Sequence, residues 1–148
     1  MTKTPSQETV KVWGRIFRIQ KKALAYTEKA LKAAQLPQLS WYDILLELDK
    51  AGDQGLRPFE LEHDLLLPQY GLSRLLDRME KKGFLQRVPC PEDGRGHRIV
   101  ITDKGRDIRL KMWPIYAKAI EDIIGPNLSE NDLRTLSELL AKIDIPEE

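Results

Sequence analysis

Gln69, Tyr70, Ser73 and Arg74 stand one, three and four positions apart, so a helix through them would carry all four on neighbouring turns. Long hydrogen-bonding side chains on one helix can read base edges in a DNA major groove, which is about 12 Å wide and admits a single α-helix. Arg78, Lys81 and Lys82 continue the segment and suit phosphates, which position a protein without reading sequence. The plain alternative is an amphipathic helix whose outer face is polar only because water meets it.

A second cluster lies in Pro91-Glu92-Asp93-Gly94-Arg95-Gly96-His97. Arg95 between two glycines can project from a tight loop into a minor groove, whose negative potential attracts guanidinium groups. Asp93 is placed to hold that side chain or the loop backbone, and Arg98 follows on the return strand as a further DNA-facing cation. A solvated turn with a chance ion pair, worth little, is the competing reading.

Other chemistries find no support. His63 and His97 are the only histidines and lie far apart. There is no His-Glu-x-x-His, no Gly-rich phosphate loop and no Gly-x-Ser-x-Gly turn. Neither an enzyme nor a bound metal or cofactor is expected. The single Cys90 excludes an internal disulfide and fits a reducing compartment. As a strand cysteine it reads as a small hydrophobe rather than a redox switch. No apolar leader follows Met1, and no apolar run approaches the ~18 residues of a membrane span, so a cytoplasmic, nucleoid-associated protein is expected.

The elements that must position these residues follow from period and punctuation. Val10 to Ala34 reads as one long helix, ended before Pro37. Ser40 reads as the N-cap of a second helix, Trp41 to Lys50, with Asp43 facing its N-terminal dipole. Pro58 opens a short third helix to about Leu65. A fourth is expected from Pro68 to Lys82, stopped by Gly83, with Leu72, Leu75, Leu76 and Met79 inward. Phe84 to Cys90 and Arg98 to Thr102 then alternate with period two, a β-hairpin. Thr102 caps a fifth helix to about Ile124, and Ser129 with Asp132 forms a capping box for a sixth. A short helix, a turn, a polar-faced helix and a hairpin make a winged helix-turn-helix.

Charge is segregated although the net is only +1. Residues 11–33 carry +6, 34–67 carry −5, 68–111 carry +5 and 112–148 carry −5. The distribution is what bears on nucleic acid.

The quoted order of motifs resembles the MarR family of prokaryotic regulators. Leu-Ser-Trp-Tyr-Asp-Ile-Leu at 39–45, Gly-Leu-Ser-Arg-Leu-Leu-Asp-Arg-Met-Glu-Lys-Lys-Gly at 71–83, Pro-Glu-Asp-Gly-Arg-Gly at 91–96, Ile-Thr-Asp-Lys-Gly at 101–105 and Leu-Ser-Glu-Asn-Asp-Leu at 128–133 carry it. The resemblance implies one domain over 1–148: a DNA-binding lobe at 39–102 and a helical dimerisation region from 10–34 and 103–145. It places recognition positions on Gln69 to Arg74 and the wing's Asp-x-Arg on Asp93 and Arg95. Gly71 departs from the pattern and would cost about 1 kcal/mol relative to Ala inside a helix. Gly94 stands where a second arginine is common.

The expected protein is therefore mainly α with a small β-hairpin, a homodimer on double-stranded DNA acting as a repressor. Trp13, Ile16, Phe17, Trp113, Ile120, Leu136 and Leu140 exceed what one lobe can cover, and a self-complementary patch closes with two-fold symmetry. Pro114 is expected to kink the fifth helix around the partner. The resemblance also implies a cleft for a small aromatic effector, with Trp13, Phe17, Trp41 and Trp113 as candidates to line it. A winged-helix module that binds protein rather than DNA is the alternative.

Overall fold

The Ser6 hydroxyl accepts the Thr9 N–H at 3.1 Å, and this cap starts helix α1 (Gln7–Ala33) three residues ahead of the expected Val10. The computed structural model describes residues 2–90 and 96–147. Helix α2 (Leu39–Ala51) is not capped by Ser40, which lies inside it. The Glu28 carboxylate of α1 instead takes the Leu39 N–H at 2.7 Å. An acceptor eleven residues away has displaced the local one. Asp43 is likewise no dipole partner: it is buried, and its carboxylate accepts the N–H groups of Leu66 and Leu67 at 3.1 and 2.7 Å.

Helix α3 (Pro58–Asp64) starts at Pro58 as expected, with the Glu60 carboxylate accepting the Arg57 N–H at 3.0 Å. Helix α4 is shorter than the sequence suggests, Leu72–Lys81 rather than Pro68 to Lys82. Gly71 occupies its cap position at φ 73, a left-handed conformation that favours glycine. Glycine is there to turn the chain into the helix, so the expected mid-helix penalty does not arise.

Strands β1 (Leu85–Pro89) and β2 (His97–Ile101) pair antiparallel, Leu85 opposite Ile101 and Arg87 opposite Ile99. Leu56 adds a bridge on the far side of β2, with Leu56 N–H to Ile99 O at 3.0 Å and the reverse bond at 2.7 Å. Gly55 permits this approach, since a Cβ there would run into the Ile99 carbonyl. Ile44, Leu45, Leu48, Leu61, Leu75, Leu76, Met79, Leu85, Ile99 and Ile101 form one core beneath α2, α3, α4 and the hairpin. Burying each of the larger ones is worth about 1.5–3 kcal/mol.

Helix α5 (Asp103–Ile124) begins at Thr102, whose hydroxyl accepts the Gly105 N–H at 3.0 Å and donates to the Gly83 carbonyl at 2.6 Å. It runs unbroken through Pro114. A second core of Leu31, Leu39, Tyr42 and Met112 joins α1, α2 and α5. Helix α6 (Glu130–Ala141) carries the expected Ser129–Asp132 capping box and buries none of its residues. Among the described residues, six α-helices and one hairpin give the mainly α, winged-helix architecture that the sequence implied. No described helix is long and apolar enough to cross a membrane.

Candidate nucleic-acid interface

Two sides of α4 divide the work. Leu72, Leu75, Leu76 and Met79 are buried, while Ser73, Arg74, Asp77, Arg78 and Lys81 face outward. The buried side fixes the rotation of the helix about its axis, so the outward set is presented as a block. Gln69 and Tyr70 are not on this helix. They lie in the connector before it, Gln69 half-buried and Tyr70 99% exposed. The difference traces to Pro68 and Gly71. A proline can open a helix, but a left-handed glycine three residues on resets the start to Leu72.

The connector is not loose. Asp43 holds Leu66 and Leu67 by their backbone, as described, just ahead of Pro68. Tyr116 of α5 lies nearby, its phenol pKa raised by burial, by the charge of Asp43 and by Tyr42. Behind the lobe, Asp49 of α2 takes Arg109 at 2.6 Å and Arg106 at 3.2 Å, tying α2 to α5.

The hairpin is fastened to α4 by Arg87 on β1. Its guanidinium reaches Asp77 at 2.9 Å and Glu80 at 2.9 Å, and lies 3.4 Å from the Ser73 carbonyl. The Arg87 backbone N–H donates to the other Glu80 oxygen at 3.1 Å. Arg87 did not stand out in the sequence and Asp43 did so only as a helix-start acid, because each is a charged residue in an ordinary place until its partner is known.

Of the wing residues singled out, Asp93 and Arg95 lie outside the described residues. Arg98 is half-buried on β2, and its Nε is enclosed with no hydrogen-bond partner among the described residues. Cys90 is buried, and the Arg57 guanidinium approaches its sulfur at 3.3 Å.

The four aromatic candidates for a ligand cleft do not converge. Trp13 and Phe17 form an exposed pair on α1 with ring centres 4.6 Å apart. Trp113 stacks on Tyr42 at 6.2 Å. Trp41, edge-on to Phe84 at 5.7 Å, lines a cavity of about 540 Å³, and Phe17 lines a separate one on α1 with Arg18, Gln20, Lys21 and Leu24. Leu36, Arg78, Lys82 and Ile108 also line the Trp41 cavity, so that space combines aromatic walls with two cations.

Residues 36–96 match the MarR family model. The fold as a whole is shared with Sco3205, a MarR family transcriptional regulator from Streptomyces coelicolor solved in complex with DNA. The TM-score is 0.84 at 22% identity, covering 95% of this chain and 88% of that one. A mutant MarR from E. coli complexed with operator DNA gives 0.79 at 23% identity, over 95% and 98% of the two chains. AbsC, a MarR family transcriptional regulator from Streptomyces coelicolor, gives 0.78 at 23%, over 94% and 93%. At these identities the likeness is one of fold.

Proposed function

We propose that the chain is a MarR-family winged-helix protein, on the family-model match over 36–96 and the shared fold, and that it is a dimeric, sequence-specific DNA-binding regulator that represses by occupying a pseudo-palindromic operator. The outward face of α4, with Ser73, Arg74, Arg78 and Lys81 on a buried-sided helix beside a hairpin, is the observation that carries the reading. Arg74 and Ser73 lie nearest the helix start and are assigned to base edges. Arg78 and Lys81 are assigned to phosphates, with Tyr70 and Gln69 approaching from the connector. Asp93, Arg95 and Arg98 are assigned to the wing's contact with the minor groove. The two relatives solved with DNA support this use of the fold.

Dimerisation is assigned to 10–34 and 103–145. Trp13, Ile16 and Phe17 on α1 and Leu136, Leu139 and Leu140 on α6 are exposed in the single chain. The α1 region is strongly basic and the last third of the chain acidic, so the two attract across a two-fold axis. The bend expected at Pro114 would let α5 follow the partner. A small aromatic effector is assigned to the cavity beside Trp41, where Arg78 would connect its occupancy to the reading helix.

Selection of bound duplexes from a random-sequence pool, followed by a salt titration, tests the proposal. A recovered palindrome bound with steep salt dependence is expected. No enrichment, with salt-insensitive binding to protein partners instead, would overturn it.

A further inference from the structure

Asp77 and Glu80 pose a problem on a helix meant to face phosphates. They share α4 with Arg74, Arg78 and Lys81, and Asp77 is exposed. Unpaired, two carboxylates there would repel the backbone they must approach. Arg87 answers both at once. Each guanidinium amino group meets one carboxylate, at 2.9 Å in both cases, and the side chain is only 23% exposed. A planar fork meets the two acids from two separate, fixed nitrogens, whereas an ammonium offers a single nitrogen with rotating donors. The Glu80 carboxylate is also bonded to the backbone of Arg87, so the contact fixes main chain as well as charge.

We propose that Arg87 is a positioning residue for DNA reading: it locks the base of the wing against α4 and withdraws Asp77 and Glu80 from the phosphate field, without itself touching DNA. This rests on the regulator reading above. Arg87 already meets three acceptors on α4, so at most two of its five N–H donors remain, on a guanidinium held against α4 rather than turned out to a phosphate. The same bonds set the spacing between the two DNA-facing elements, since α4 supplies the acceptors and β1 the donor.

Arg87→Met, which keeps much of the aliphatic stem, separates this role from a direct contact. Against a duplex selected by the wild-type protein, affinity is expected to fall about tenfold in Arg87→Met, and neutralising the unmasked acids in the same chain with Asp77→Asn and Glu80→Gln should return the slope of log K against log salt to at least its wild-type value. Lys81→Met, the comparison, should lower that slope by about one. Arg87→Lys should recover only part of the lost affinity. In the free protein, amide exchange at 86–88 should quicken about tenfold in Arg87→Met while α2 and α5 keep their protection. A slope still lowered by about one in the triple variant, wild-type affinity in Arg87→Met, or unchanged exchange in the wing would each overturn the proposal. Wild-type protein that binds no duplex at any salt would defeat the regulator reading, and the exchange measurement would still decide whether Arg87 locks the wing.

Discussion

One carboxylate, Asp49 on α2, receives Arg109 of α5 at 2.6 Å and Arg106 at 3.2 Å. Arg109 also lies over the Tyr42 ring, 6.0 Å from its centre. Burial is the largest single influence and opposes the charge on Arg109, yet the hydrogen bonds and charge attraction of Asp49 and Tyr42 together outweigh it and the guanidinium pKa is raised. The junction between the DNA-binding lobe and the long α5 helix therefore turns on a polar contact set into an apolar core.

Asp49→Ala should lower stability by about 2–3 kcal/mol, because Arg109 would be left largely covered with its charged acceptor gone and only Tyr42 beside it. Urea denaturation followed by circular dichroism reads this as a lower midpoint. A loss below the ordinary surface-pair range of about 1 kcal/mol would mean that water replaces the carboxylate at no cost.

Gly71 gives a prediction of sign. Were it inside a helix, Gly71→Ala would stabilise by about 1 kcal/mol. At φ 73, with no atom within 4 Å of where a Cβ would sit, the same change should destabilise by about 1 kcal/mol through backbone strain alone. Gly71→Asn should be milder, since asparagine tolerates the left-handed region. Thermal melts of the two variants distinguish the cases.

Arg74 and Lys81 should behave differently on DNA. Arg74→Ala should change which sequences are enriched, at a cost of about 1–3 kcal/mol at one position. Lys81→Ala should weaken all sequences alike. Parallel selections from one random pool make the comparison.

Leu136 is 39% exposed and Leu140 48% exposed on a helix that buries nothing in its own chain. Leu136→Asp with Leu140→Asp should shift the protein from dimer to monomer in sedimentation while the helical signal of the lobe persists. A dimer of undiminished affinity would remove α6 from the proposed interface.

Much of this architecture was legible in order and type. Thr102, Ser129 with Asp132, and Pro58 mark helix starts by chemistry confined to three or four residues, and each sits where that chemistry implies. What stayed hidden depends on partners distant in sequence. Ser40 looked sufficient as a cap, but Glu28 reached the N–H first. Asp43 looked like a helix-start acid, yet it secures a connector more than twenty residues downstream. Pro68 and Gly71 are both plausible punctuation, and only the backbone decides which one begins α4. The same holds for the outward face: Ser73, Arg74, Arg78 and Lys81 followed from helical spacing, whereas Arg87 belongs to a strand and meets α4 through tertiary packing alone.

The bridge between Leu56 and Ile99 has a bearing on the wing beyond its two hydrogen bonds. A two-stranded hairpin on its own is marginal in water and free to slide in register. Here β2 is gripped along both edges, by Leu85 to Pro89 on one and by Leu56 on the other. Sliding by a single residue would turn Ile99 and Ile101 out of the core and break both grips together. The place from which the finger leaves the lobe is thus fixed, with Pro89 and His97 held opposite each other at the end of the ladder.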